Sequence, residues 1–487
     1  MVIHMNNLYD ETNPLSIESY AKKLIGKTFN DVIQENEKNI NTLVSEDSSE
    51  YAVSHENKKR KGGLGELIEE CHFHYKANSD PTPDFDKAGV ELKVTPYKKL
   101  KNGQISAKER LVVNMIDYHT VVDETFYNSH FWNKAHLILL IYYLYEKEVK
   151  NRLDFKIDFA SLFTPPEADL DIIENDFNTI VNKVKTGKAH ELSGSDTLYL
   201  EAAPKAATSE NRRSQPFSDI PAKPRAFAFK NSYMTYILRD YISQGIDTYK
   251  PNVTINTDNN IIKDRLVNTT FEQYVVDRIN EYKDRDVDEL FDYFKVGAKA
   301  KSSKANIVYA ILGIKGNHAA EFEKANIKIK TIRLNKNNKI KESMSFPAFK
   351  FMDIAKQEWE ESDFYKELSE TKFLFVVFKE VEDKKYILKG CQFWNIPYKD
   401  LNVDVKSVFE KTKQVILDNN IIDTTNKGKR VRTNFPKASE NRVSHVRPHS
   451  TKDAKPDVLP SGDTYTKQCF WLNNKYVLSQ LEDRFFE

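Results

Sequence analysis

Cysteine is scarce in this chain: there are three in 487 residues, Cys71, Cys391 and Cys469, far apart and without metal-ligand spacing. That argues against a disulfide framework or a zinc module and fits a reducing compartment. Long apolar runs are missing as well, since no stretch reaches the ~18 residues that a membrane span needs. Met1 to Asp10 lacks a charged segment followed by an apolar one, so no secretory signal is read there and a cytoplasmic protein is expected. An excess of either charge is also lacking: 73 basic and 72 acidic residues leave a formal net charge of +1. The chain as a whole is no polycation. Any affinity for nucleic acid must come from local basic clusters.

A hydrophobic content of 40% and a charged content of 30% describe an ordinary globular chain, long enough for roughly two to four domains with their own cores. Basic clusters are present at Lys58 to Lys61, Lys98 to Arg110 and Lys427 to Arg432. Each taken singly reads as a solvated loop. The first two, however, flank an acidic motif, and that placement favours phosphate contacts.

The motif is Pro83 to Val94, PDFDKAGVELKV. Val90, Leu92 and Val94 alternate with Glu91 and Lys93, so as a strand the segment has one apolar face and one bearing a carboxylate and an amine. Lys87, Ala88 and Gly89 can reverse the chain and return Asp84 to the side of Glu91. Two carboxylates and a lysine then converge at one sheet edge. Hard oxygen ligands of this kind suit Mg²⁺, and a nearby ammonium can position or help deprotonate an attacking water. This is the PD…ExK arrangement of metal-dependent nucleases. The bare string arises by chance in a chain this charged, and alternating charge is commonly a solvated face. Context therefore has to carry the reading.

Periodicity predicts helices over 16–33, 65–75, 170–184 and 233–242, and a largely irregular segment over 36–57. Asn102-Gly103 reads as a hairpin-type turn with 109–118 as the returning strand. Lys134 to Tyr143, KAHLILLIYY, reads as a strand buried on both faces, and 198–200 and 225–229 as further strands. Glu69 falls on the polar side of its helix. Cys71, His72 and His74 share that helix without a distant partner pair, so a structural role is read for them.

A segment rich in Gly, Asn, Asp, Thr and Pro, 244–260, marks a boundary, after which the order of elements starts again. Phe322 to Thr331, FEKANIKIKT, lies on Phe85 to Val94, FDKAGVELKV, with four of ten positions identical. The strand beginning at Lys372 echoes the one beginning at Lys134, and Phe470 to Leu481 echoes Phe227 to Leu238. Ordered echoes about 240 residues apart indicate two copies of one fold. In the second copy Glu321 stands for Asp84 and Lys328 for Glu91, while the lysine persists as Lys330. Two ammonium groups on one face would repel Mg²⁺ and attract phosphate, so this copy is expected to bind DNA without cutting it.

With GGLGELIEE (62–70), PDFDKAGVELKVTP (83–96), LKNGQISAKERLVVNMIDY (100–118) and HVRPHS (445–450), the chain resembles the MutH-like nucleases: the mismatch-repair nicking endonuclease MutH and the two-domain restriction endonucleases that cleave GATC. The resemblance implies an α/β (α+β) architecture of two tandem restriction-endonuclease-like, PD-ExK domains of MutH type, each a mixed central sheet flanked by helices. Residues 1–250 would be catalytic, 251–268 a linker, and 269–487 a degenerate DNA-binding or allosteric domain. It implies that Asp84, Glu91 and the Leu92 carbonyl hold Mg²⁺, that Lys93 orients the water, that Glu69 assists at the metal and that Lys134 steadies the phosphate. The base-reading loop would be Ala203-Pro204-Lys205 in the first copy and Arg447-Pro448-His449 in the second. The implied activity is Type II, IIE-like cleavage of double-stranded DNA before the G of GATC, leaving 5′ overhangs. A second bound site would act as effector, two chains would pair transiently on DNA, and a cognate methyltransferase would be the functional partner. A strand-nicking repair enzyme and a non-catalytic DNA-binding protein remain the alternatives.

Overall fold

The computed structural model describes residues 8–43, 63–76, 81–205, 210–249, 259–263, 265–298, 302–422, 433–449 and 455–487. The basic clusters at 58–61 and 427–432, Ser450, and residues 251–258 and 264 of the expected linker lie outside the described residues. The chain divides into two compact units, one made chiefly of residues 1–192 and 197–257 and the other chiefly of 258–322 and 326–487. Among the described residues, no helix is long and apolar enough to cross a membrane.

The first unit contains, in order, α1 (Pro14–Ala21), α2 (Phe29–Leu43), α3 (Gly63–Cys71), β1 (Glu91–Lys99), β2 (Ile105–Ala107), β3 (Leu111–Met115), α4 (His130–Ala135), β4 (Ile138–Leu144), β5 (Ile157–Phe163), α5 (Glu167–Lys185), β6 (Leu200–Pro204), β7 (Arg213–Gln215), β8 (Ser218–Ala222), β9 (Arg225–Phe229) and α6 (Asn231–Asp240). One sheet runs β2-β1-β4-β5, with β1 and β4 parallel and the outer pairs antiparallel. The apolar run of β4 makes it the buried centre: Ile138 to Tyr142 are all 0% exposed. Leu139 and Ile141 join a cluster with Ile17, Leu24, Phe29 and Ile68 from α1 to α3. A second antiparallel sheet, β3-β9-β6, is followed in sequence by α6.

Four sequence expectations change. Gly26, at φ +92°, breaks the helix expected over 16–33; its N–H bonds to Ile157 O and Ile157 N–H returns to Lys27 O, tying the break to β5. A helix resumes at Phe29 and runs to Leu43, where irregular chain was expected from Asn36. The Asn102-Gly103 turn forms, with Gly103 at φ +83°, but its returning strand is the short β2, whereas Leu111–Met115 pairs with β9 in the other sheet. Lys134 does not head the buried strand: it lies in the last turn of α4, four residues before Ile138.

The second unit contains α7 (Phe271–Asn280), α8 (Val287–Phe294), α9 (Ser303–Ile311), α10 (Ala320–Lys324), β10 (Ile327–Leu334), β11 (Met344–Ala348), α11 (Asp363–Glu370), β12 (Lys372–Glu382), β13 (Lys385–Trp394), α12 (Lys406–Leu417), β14 (Ser444–Pro448), β15 (Asp457–Val458), β16 (Thr464–Tyr465), β17 (Gln468–Leu472) and α13 (Asn474–Ser479). Its sheets are β10-β12-β13, with β10 and β12 parallel, and the antiparallel β11-β17-β14. These repeat β1-β4-β5 and β3-β9-β6 strand for strand, and the small hairpin β15-β16 stands where β7-β8 stands in the first unit. Even a buried tyrosine–carboxylate bond recurs: Tyr233 to Asp169 in the first unit, Tyr476 to Asp400 in the second.

Candidate active site

Asp84 reaches the strand because residues 85–90 form a tight reversal. Phe85 and Val90 exchange both backbone hydrogen bonds, at 2.9 and 3.2 Å, and Gly89 supplies the φ of +67° that closes it. Asp84 Oδ2 then accepts the Leu92 N–H at 2.8 Å. On the other side of β1, the Glu91 N–H bonds to Leu137 O toward β4. Backbone groups alternate sides along a strand, so the Leu92 carbonyl points away from β4, to the Asp84 side.

Glu91 is 2% exposed and held between two ammonium groups. Lys93 Nζ lies 2.5 Å from Oε1 and Lys134 Nζ 3.2 Å from Oε2. Oε2 is nevertheless without a hydrogen bond of good geometry among the described residues. Burial, then the negative charge of Glu91, raise the Asp84 pKa. Glu69 faces the same cluster from α3, whose Leu64, Leu67, Ile68 and Cys71 turn inward. Burial, then Asp84, push its pKa up to about 7. Its neighbour Glu70 does not line the cavity of about 600 Å³ onto which Glu69, Asp84, Glu91, Lys93 and Lys134 all open.

The donor set fits a hard divalent cation. It comprises two carboxylates, one with a buried and poorly satisfied oxygen, and one outward carbonyl. Among the described residues there is no ready cage of three or more His, Cys, Asp or Glu side chains, so the remaining ligands would be waters or phosphate oxygens, as Mg²⁺ prefers. Glu124 and His130 also line the cavity. The sequence reading missed both; the only trace was the i, i+4 spacing of His130 and Lys134.

Pro204 and Lys205 are exposed at the end of β6, and Arg447, Pro448 and His449 at the end of β14. Pro204 pairs with Arg225, the first residue of β9, and Pro448 with Gln468, the first of β17, so the two tripeptides occupy equivalent positions. His445, by contrast, is 1% exposed and bonded to Asn473, and burial lowers its pKa to about 4. His72 stacks on Tyr20 and bonds to its carbonyl, which is a structural use of that histidine.

In the second unit the expectation of two unopposed ammonium groups is corrected. Lys328 pairs with both oxygens of Glu367, at 2.7 and 2.8 Å. Lys330 lies against the rings of Phe346 and Phe373, and burial lowers its pKa. Glu321 is occupied by the N–H groups of Ile261 and Ile262, each at 2.9 Å. The alignment of Lys372 with Lys134 also shifts: Lys328 pairs with Phe373 as Glu91 pairs with Ile138, which puts Lys372 level with Leu137.

The profile of the DNA mismatch repair enzyme MutH matches residues 73–176 and 312–403, one stretch in each unit. The Type II restriction enzyme Sau3AI of Staphylococcus aureus is 37% identical over 470 residues, covering 88% of this chain and 93% of that enzyme. The DNA mismatch repair protein MutH of Vibrio campbellii is 28% identical over 197 residues, 39% of this chain and 83% of its own length. The MutH of Shewanella baltica is 28% identical over 184 residues, 37% of this chain and 80% of its own length. Relatives of the latter kind thus match less than half of this chain while nearly complete themselves.

Proposed function

Because the chain belongs to the MutH-like nuclease family, in its group of two-domain Type II restriction endonucleases, we propose that its first unit hydrolyses double-stranded DNA at GATC, before the G, leaving 5′ overhangs. The observation that carries this is Glu91, buried between Lys93 and Lys134 and beside Asp84. Asp84, Glu91 and the Leu92 carbonyl would hold Mg²⁺, which when bound polarises a phosphoryl oxygen and lowers the pKa of water. Lys93 orients the attacking water through its Nζ. Lys134, on the other side of Glu91, faces the charge that accumulates on the phosphate in the transition state, where a fixed cation contributes most. Glu69, on the wall of the same cavity, would assist at the metal.

The catalytic domain would span 1–250 and the linker 251–268. The second domain, 269–487, would bind another GATC copy through Arg447, Pro448 and His449 and act as effector. Two chains would pair on DNA in the cytoplasm, opposed by a methyltransferase that protects host sites. Strand nicking is the second reading, favoured by the MutH relatives and by Lys328 standing in the second unit where Glu91 stands in the first. A plasmid with GATC sites separates the two: wild type should give linear product with Mg²⁺, none with EDTA, and none as Glu91→Ala. Nicked circles alone would support the repair-type reading. Binding without any cleavage would leave a DNA-binding protein.

A further inference from the structure

His130 and Glu124 open onto the cavity of the carboxylates, and the steps above use neither. His130 begins α4, the helix that carries Lys134 four residues later, so both side chains share one helix face, a turn apart. Glu124 is 12% exposed. Its Oε1 stands 2.6 Å from His130 Nδ1, and its Oε2 accepts the His130 backbone N–H at 3.3 Å. An ionised carboxylate only accepts, so Nδ1 carries its proton and that bond aims the ring. Nε2 remains, on a side chain 62% exposed against 13% for Lys134.

The second unit shows what this pair is not needed for. In both units a serine caps the helix in the same way: Ser129 Oγ accepts the Trp132 N–H and donates to Phe126 O, and Ser362 Oγ accepts the Tyr365 N–H and donates to Trp359 O. Counting from those serines, Gln357 and Asp363 occupy the places of Glu124 and His130. Their hydrogen bonds persist, with Gln357 Oε1 accepting the Asp363 N–H at 3.4 Å and Nε2 donating to Asp363 Oδ2 at 3.0 Å. The junction therefore holds without an imidazole. What disappears is an imidazole facing the cavity, in the unit where Lys328 replaces Glu91 and Glu367 replaces Lys134; with Ile307, Val308 and Ile311 buried as Leu67, Ile68 and Cys71 are, Tyr309 takes the place of Glu69.

We propose that His130 is a further DNA-contacting residue of the cleavage site. Its protonated Nε2 donates to a backbone phosphate oxygen next to the scissile phosphate, and Glu124 is the positioning residue that holds the ring. One helical turn, ~5.4 Å, separates His130 from Lys134, so a phosphate facing Lys134 leaves its neighbour within reach of Nε2. The exposure of the imidazole suits a strand lying along the cavity rim better than a water sequestered beside Glu91. This assignment rests on the cavity being the DNA-cleaving site.

Two isosteres separate the roles of the ring nitrogens. His130→Asn keeps a donor near the Nδ1 position and has nothing at Nε2; His130→Gln does the reverse. Affinity for a GATC duplex is read over a salt series at about pH 6 with Ca²⁺ in place of Mg²⁺, alongside KM and kcat with Mg²⁺. Both variants should lower the slope of log K against log salt by about one. Asn should weaken binding about tenfold, with KM affected more than kcat, while Gln keeps most of the affinity. The double variant Glu124→Gln with His130→Asp copies the second unit, so it should keep the wild-type Tm and lose affinity. An unchanged salt slope, Gln weaker than Asn, or wild-type affinity in the double variant would each overturn the assignment. Wild type that fails to cut the duplex would instead overturn the reading of the cavity, and this assignment with it.

Discussion

Lys328 and Glu367 form in the second unit the ion pair that Glu91 and Lys134 form in the first, with the signs exchanged: 2.7 Å from Nζ to carboxylate in one, 3.2 Å in the other. One partner sits at the start of the first strand of the parallel pair and the other on the helix before the second. The connection differs in length, since Lys134 precedes Ile138 by four residues and Glu367 precedes Phe373 by six. Either polarity neutralises the gap between strand and helix. Only one of them leaves a carboxylate beside Asp84.

That exchange makes a stability prediction. Lys328→Glu should set two carboxylates against each other and lower the stability of the second unit, and Lys328→Glu with Glu367→Lys should recover it. The side chains are 41% and 23% exposed, so the coupling should be about 0.5–1 kcal/mol. Urea unfolding of the two single variants and the double variant gives the cycle, and additive effects would show that the pair contributes nothing. Neither form should gain cleavage activity, because Glu321 remains committed to two backbone N–H groups.

Gly89 and Asn326 occupy one position in the two copies, at φ +67° and +51°. A Cβ at Gly89 would meet His136 Nε2 at 3.3 Å, a contact that a small ring movement relieves. Gly89→Asn should therefore cost no more than about 1 kcal/mol and keep cleavage, since asparagine visits the left-handed region readily. Gly89→Val should cost about 1–3 kcal/mol and reduce cleavage sharply by displacing Asp84 from Leu92. Thermal unfolding and plasmid cleavage measure both. A valine variant with wild-type rates would mean that the reversal at 85–90 does not position the carboxylate.

This position also shows what could be read in advance. The Gly-to-Asn exchange, the alternation of Val90 to Val94 and the apolar run of β4 are local signals, and the site strand followed from them. The role of Lys134 rests on the family resemblance alone, and KAHLILLIYY carries no break before Ile138 that periodicity can register, so the helix that holds Lys134 reads as strand. The break at Gly26 depends on hydrogen bonds to β5, a tertiary partner that is distant in sequence. Glu124 and His130 were missed for the same reason: only the fold brings that segment to the carboxylates. The charge of Lys328 was legible, its cancellation by Glu367 was not.

Glu69 should make stability depend on pH. Its pKa rises from 4.5 to about 7 on folding, with burial the largest cause and Asp84 next. A carboxyl with a raised folded pKa binds more protons folded than unfolded, so stability is lost as pH climbs from about 4.5 to 7. The group is partly exposed, which reduces the effect to on the order of 1 kcal/mol. Glu69→Gln should flatten that part of the profile and be the more stable form at pH 8 in EDTA, measured by urea unfolding. Parallel profiles for the two proteins would assign the titration elsewhere.

Cleavage of both strands needs more than one use of the carboxylate cluster, since each chain carries Asp84 and Glu91 once and its second copy offers Lys328 and an occupied Glu321 instead. At low enzyme concentration, a plasmid with one GATC should therefore pass through a nicked circle before it becomes linear. If the second unit holds an effector copy, a plasmid with two sites raises the local concentration of that copy to the level set by the DNA between them. Linear product should then form several-fold faster per site. Added short GATC duplex should restore the one-site rate, because a bound effector shifts the active state whether or not it is tethered. Equal rates on both plasmids, unchanged by the duplex, would remove the effector role from the second unit and leave successive independent nicks as the route to the double-strand break.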